Sequence, residues 1–175
     1  MRSTAIVGML VVLVASCGQQ PAAVQKPEGG TDIPTHTSYA ITVRFTDSSH
    51  TKARLSATVG RVWEGRQETT VQGNVVVDFY SKTSGRRIAR LTADSAHIDD
   101  RTKMMRAIGN VIVVSDSSQT TLSTPSMLWD SHRERLSSTE AVRIVTPNES
   151  IDGIGFESDQ ALTDYRIFKV RGAQH

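Results

Sequence analysis

An internal repeat constrains this chain more than any other feature. Four segments overlie one another: Leu55 to Glu64 (LSATVGRVWE), Leu91 to Asp100 (LTADSAHIDD), Leu122 to Asp130 (LSTPSMLWD) and Ile151 to Asp159 (IDGIGFESD). Each opens on an aliphatic residue and closes on an acidic one. After each comes a polar turn and a second apolar run: QGNVVVDFY from Gln72, IGNVIVVSD from Ile108, EAVRIVT from Glu140 and YRIFKV from Tyr165. The copies recur at roughly 30 to 36 residues, as expected of one supersecondary unit stacked repeatedly because a single copy cannot bury its own apolar face.

The unit is a pair of strands. In GNVVVDFYS, Val75, Val77 and Phe79 fall on one face and Val76, Asp78 and Tyr80 on the other; Val142 and Ile144 alternate with Arg143 in the same way. The first strand of each unit changes phase midway. Leu91 and Ala93 share a parity that Ala96 and Ile98 reverse, and Leu122 and Thr124 shift likewise to Met127 and Trp129. A bulge at Asp94-Ser95 and another at Pro125-Ser126 restores each set to one face, and a bulge tolerates proline because it needs no ladder donor. RTKMMRA, from Arg101, reads as a turn and the start of a strand.

These patterns predict an all-β, open, twisted jelly-roll or β-taco. It should hold about a dozen or more short antiparallel strands, built from repeated strand pairs with free edges at both ends. Its inward positions are Val75, Val77, Phe79, Leu91, Val111, Val113, Met127, Trp129, Val142 and Ile144, the candidate lining of an apolar trough. Plain core packing is the competing reading for Trp129, Met127 and Phe156.

Length allows one domain: 175 residues, 38% apolar and 22% charged, are ordinary for a globular chain. A net charge of +2 gives no signal for nucleic acid. The N-terminus reads as an export signal, with Arg2 as its positive region and a short apolar run from Ala5 to Ser16. The run ends in VASC, Val14 to Cys17, which resembles a bacterial lipobox, and Cys17 is the single cysteine of the chain. Residues 1–16 are thus expected to be a signal peptide, Cys17 a lipidation site, 17–38 a flexible Pro, Gly and Gln-rich tether, and 39–173 the folded domain. A chance cysteine beside an ordinary signal peptide, or a short uncleaved anchor, is the other reading of the same residues.

No motif points to catalysis or to a cofactor. The histidines His36, His50, His97, His132 and His175 lack paired ligand spacing, so no metal site is expected. Asp130, Ser131 and His132 are adjacent in a predicted turn and cannot converge as nucleophile, base and orienter. The glycines of GIG, Gly153 to Gly155, fit a bulge or a close strand approach. Arg86, Arg87, Arg101, Lys103, Arg106, Arg133 and Arg135 are expected at turns along one rim, where arginine forks would suit phosphate.

LTADSAHIDDRTKMMRAIGNVIVVS, LSTPSMLWD and above all IDGIGFESDQALTDYRIFKVRG resemble the LptC family of lipopolysaccharide export proteins, over roughly Tyr39 to Gly172. That resemblance implies a periplasmic β-jelly-roll without catalytic activity. It would accept lipopolysaccharide from an inner-membrane ABC transporter (LptB, LptF and LptG-like), shelter the acyl chains in its groove and pass the lipid to an LptA-like bridge through its C-terminal edge strand. The best-known members are held by an N-terminal transmembrane helix, whereas this chain is expected to be anchored at the inner membrane through a lipid on Cys17. Two other readings share the fold: an LptA-like bridge protein, and a structural or interaction lipoprotein whose interior is filled. An enzyme is the weakest reading.

Overall fold

Alternation of buried and exposed side chains runs through most strands of the computed structural model, which describes residues 33–174. The signal peptide, Cys17 and most of the expected tether lie outside the described residues. The strands are β1 (His36–Asp47), β2 (His50–Trp63), β3 (Glu68–Tyr80), β4 (Arg87–Asp99), β5 (Met105–Ser115), β6 (Thr121–Asp130), β7 (Arg135–Val145), β8 (Ser150–Asp159) and β9 (Tyr165–Gln174). Among the described residues the one helical piece is a 3-10 turn at Glu64–Arg66. All nine strands form one antiparallel sheet in the order β1 to β9, so each pairs only with its sequence neighbours.

The all-β architecture is the expected one, but its strands are fewer and longer than the dozen short ones predicted. There are nine, of 10 to 14 residues, because each runs through its mid-strand change of phase instead of ending there. β1 also begins at His36, slightly upstream of Tyr39.

The changes of phase line up across the sheet. Register shifts fall between Gln72 and Val75 on β3, Thr92 and Ser95 on β4, and Ile108 and Val111 on β5. Burial flips at the expected places: Ala93 and Ala96 are both buried, as are Thr124 and Met127. The inserted residue, however, sits on the neighbouring strands. Gly73-Asn74 faces Asp94 and Gly109-Asn110 faces Pro125, and all four of these inserted residues have positive φ, 75°, 47°, 79° and 46°. Glycine is required at 109, where a Cβ would stand 2.4 Å from Asp94 Oδ2. Asn110 tolerates the left-handed region, and its Nδ2 donates to the same Asp94 oxygen at 2.8 Å.

This row of bulges divides the sheet into two leaves that fold onto each other. Trp129 on the second leaf meets Phe45 and Phe79 of the first, with ring centroids 4.8 and 5.3 Å apart and edges turned to faces. Lys52 Nζ, near the β1–β2 turn, donates to the Ser131 carbonyl at 3.2 Å. Ser118 Oγ, in the β5–β6 turn, donates to the Ala161 carbonyl at 3.3 Å. Contacts between strands so distant in a sheet of neighbour pairings require that the sheet be doubled over.

Aspartates at the end of three repeat segments, Asp130 and Asp159 at the last position and Asp99 one before it, have a local role. Asp99 Oδ1 accepts the backbone N–H of Arg101 and Thr102, Asp130 Oδ1 those of His132 and Arg133, and Asp159 Oδ1 those of Thr163 and Asp164. Each aspartate closes the turn to the next strand by satisfying amides that no ladder reaches. The Asp130, Ser131 and His132 trio is accordingly a turn, as its adjacency implied.

Candidate lipid-binding interior

All ten predicted trough residues point inward and lie in one apolar cluster. Val77, Phe79, Leu91, Val111, Val113 and Trp129 are 0% exposed, Val75, Met127 and Ile144 1%, and Val142 3%. β3, β4 and β5 present theirs by strict alternation, Val77 beside Leu91 and Leu91 beside Val113 in the ladder. Phe45, Leu55, Met105, Leu122, Leu136 and Phe156 are equally part of this interior. Phe45 was legible in the alternation of Val43 and Phe45, and Leu55 and Leu122 as the opening residues of the repeat.

The two leaves are in contact here, so the interior is an apolar seam with side chains interdigitated. Each large residue removed from it costs about 2–5 kcal/mol by the usual cavity arithmetic. Within it the indole Nε1 of Trp129 is buried without a hydrogen-bond partner. Stranding such a donor costs about 1–3 kcal/mol. At β6–β7 the ladder itself is interrupted from Ser123 to Leu128. Hydroxyls bridge the gap: Ser138 Oγ donates to the Ser126 carbonyl at 2.7 Å and lies 3.1 Å from Thr124 Oγ1.

The outer face mixes polar side chains with Ile112 and Val114 of β5, and carries one buried carboxylate, Asp78. Arg90 Nε donates to it at 2.7 Å and Arg54 at 3.3 Å, tying β2, β3 and β4 together. Burial alone would raise its pKa, but the hydrogen bonds from Arg90 and Arg54 outweigh that and hold it below the ordinary carboxylate value. Arg86 and Arg87 stand at the β3–β4 end of β4 and Arg101 and Lys103 at its β4–β5 end, and the doubling of the sheet turns these two ends toward each other, so that Lys103 lines one cavity with Lys52. Several are also paired locally, Arg87 with Asp116 at 2.7 Å and Arg135 with Glu157 at 3.4 Å.

The ends of the sheet differ from its middle. β1 pairs only with β2 and β9 only with β8, so each leaves one row of backbone donors and acceptors unpaired among the described residues. β9 also exposes Phe168 and Val170. The close approach of β8 to β9 needs the glycines of GIG: a Cβ on Gly153 would lie 2.4 Å from Ile167 Cγ2.

Comparison with solved structures agrees with this description of the fold. LptH of Pseudomonas aeruginosa, the LptA homologous periplasmic component of the lipopolysaccharide transport device, superposes with a TM-score of 0.52 at 12% identity. The match covers 67% of this chain and 82% of that one. Among curated proteins none matches the sequence. The family described as lipopolysaccharide-assembly, LptC-related, matches residues 4–173. A bulged sheet doubled over an apolar seam, with both edges open, is thus joined to a family match along nearly the whole chain, and the chain belongs to the LptC-related family of lipopolysaccharide-assembly proteins.

Proposed function

We propose that this protein binds lipopolysaccharide in the periplasm and passes it on, receiving it from an inner-membrane ABC transporter and delivering it to an LptA-like bridge. The observation that carries this reading is the continuous inward apolar face, from Phe45 on β1 to Phe156 on β8, in a sheet whose edges are free. Acyl chains crossing water expose apolar area at about 25 cal/mol per Å², and a seam of this kind removes that cost once its leaves part to admit them. No chemical step is assigned to the chain. The β9 edge is the docking strand for the bridge, by strand addition with Phe168 and Val170 as its apolar contacts. A lipid on Cys17 holds the protein at the inner membrane, and the residues up to His36 give it reach.

A photo-crosslinking residue at Val113 in intact cells tests the interior directly, with Val114 as the control. Val113 is fully buried and the adjacent Val114 is 42% exposed on the opposite face. A lipopolysaccharide adduct at Val113 and none at Val114 is the expected result. Silence at both positions in a folded protein would replace this reading with that of a packed, lipid-free scaffold. The structural likeness to LptH favours a second reading, a bridge protein released from the membrane. Mass spectrometry of the mature N-terminus decides between them, since an acylated Cys17 excludes release.

A further inference from the structure

Trp129 combines two properties that conflict in a finished core. Its side chain is fully buried between Phe45 and Phe79, yet its indole nitrogen, which can only donate, has no acceptor. The other tryptophan is satisfied: Trp63 Nε1 donates to Thr70 Oγ1 at 3.2 Å. A second buried side-chain atom without a partner, Gln160 Nε2, lies in the β8–β9 turn and belongs to an amide whose nitrogen and oxygen exchange places by a flip. Phenylalanine at 129 would cover the same neighbours without stranding a donor. A local rule broken in this way marks a functional position more often than a defect.

The surroundings indicate what the donor is for. Trp129 stands where leaf meets leaf, at the contact that must separate for anything to reach the interior. A cavity of about 430 Å³ opens beside its ring partner Phe45, lined by Arg44, Phe45, Asp47, Lys52, Lys103 and His132 among others. Phe45 belongs to both the cavity wall and the ring contact, so one side chain stands between the cavity and the indole. Its rim carries Arg44, Lys52 and Lys103 against Asp47, with Lys52 paired to Asp47 and Glu134 at 3.6 and 3.1 Å, and Phe45 is its apolar wall; the remaining positive charge suits an amphiphile with an acidic head. The acceptor that such a molecule carries beside its chains is the carbonyl joining chain to head group.

We propose that Trp129 Nε1 is a ligand-binding donor that takes the acyl ester or amide carbonyl of a lipid admitted between the leaves past Phe45. The proposal rests on the lipid-binding reading above and adds to it the atom that fixes the depth of the acyl chains. In the free protein the donor is unpaired, and ligand supplies its partner.

The test uses the chain with Trp63→Phe, which leaves Trp129 as the single tryptophan of the two in the sequence, and Cys17→Ala, which removes any acyl group of its own. Ultraviolet resonance Raman spectra of the indole N–H are recorded for this chain alone, with lipopolysaccharide, with phosphatidylglycerol and with dodecyl maltoside, whose chain carries no carbonyl. The expected result is an unbonded N–H alone and with the maltoside, and a bonded one with lipopolysaccharide. A shift confined to lipopolysaccharide assigns the carbonyl to that lipid; an equal shift with phosphatidylglycerol assigns it to acyl carbonyls in general, and both support the donor role. An N–H already bonded in the free chain, or unmoved while lipopolysaccharide co-purifies, overturns the proposal and leaves the lipid-binding reading intact. Failure of lipopolysaccharide to co-purify overturns that reading and the proposal with it. Trp129→Phe, with its melting temperature retained, should bind lipopolysaccharide roughly three- to tenfold more weakly; equal binding counts against the donor.

Discussion

From β2 to β6 the inward side chains are sealed from solvent, whereas at β9 Val170 remains 61% exposed although it pairs with the buried Gly153. The same alternation gives opposite outcomes because cover comes from neighbours. A strand in the middle has a partner on each side and the other leaf across from it; the last strand has one partner and no successor. A repeat of this kind buries its apolar face only as far as the next copy reaches, and what the final copy leaves uncovered is the surface on which a further strand can add.

This contrast is easily broken if it is wrong. The largest effect is expected from Leu91→Asp, which puts an unpaired charge into the sealed region and should abolish the cooperative unfolding transition seen by circular dichroism. Val170→Asp should leave that transition within about 0.5 kcal/mol of the parent while weakening capture of the bridge protein. Equal loss of structure in both would mean that β9 is as much a part of the core as β4.

Leu122→Ala should cost about 2–5 kcal/mol in urea unfolding, and Phe168→Ala, at the exposed end, less than about 1 kcal/mol. The bulges sharpen the comparison at a smaller scale. Gly109→Ala forces a side chain into a left-handed position against Asp94 and should cost about 1–3 kcal/mol, whereas Gly172 has open space around it and its replacement by alanine should be nearly neutral.

The smallest effect is a dependence on acid. Backbone hydrogen bonds from Thr102 and Arg133 lower the pKa values of Asp99 and Asp130, while at Asp159 burial pushes the pKa up and the Thr163 hydrogen bonds outweigh it, leaving it lowered. Asp78 is lowered as well. A carboxyl whose folded pKa is depressed adds stability that is complete above its unfolded value of 3.8 and is lost as pH falls through the folded one. Melting temperature should therefore be flat from neutral pH to about 5 and fall below 3.8, with a shallower fall in Asp78→Asn.

Much of this was legible in the sequence, because burial on a pleated sheet has a period of two and Val75, Val77 and Phe79 or Leu91 and Ala93 display it openly. The places where the period slips, Asp94-Ser95 and Pro125-Ser126, were legible too. The strand that carries the inserted residue was not, since a slip in one strand looks the same whether the extra residue is its own or its neighbour's; the left-handed Gly73-Asn74 and Gly109-Asn110 resolve it. The unpaired indole of Trp129 was likewise invisible: alternation tells that a side chain points inward, and nothing in it tells which atoms will find a partner. That turns at opposite ends of the strands come together, as Lys52 and Lys103 do at one cavity, follows only from the doubling of the sheet, which the alternation does not reveal.

The strictly sequential pairing of β1 to β9 carries a consequence for how such a molecule comes into being. No strand waits for a distant partner, so each hairpin closes on the one before it as the chain emerges, and loop closure is never long. Length along the sheet is then a matter of how many hairpins are copied in tandem. A gene duplication that adds two strands would lengthen the sheet without rethreading any existing connection.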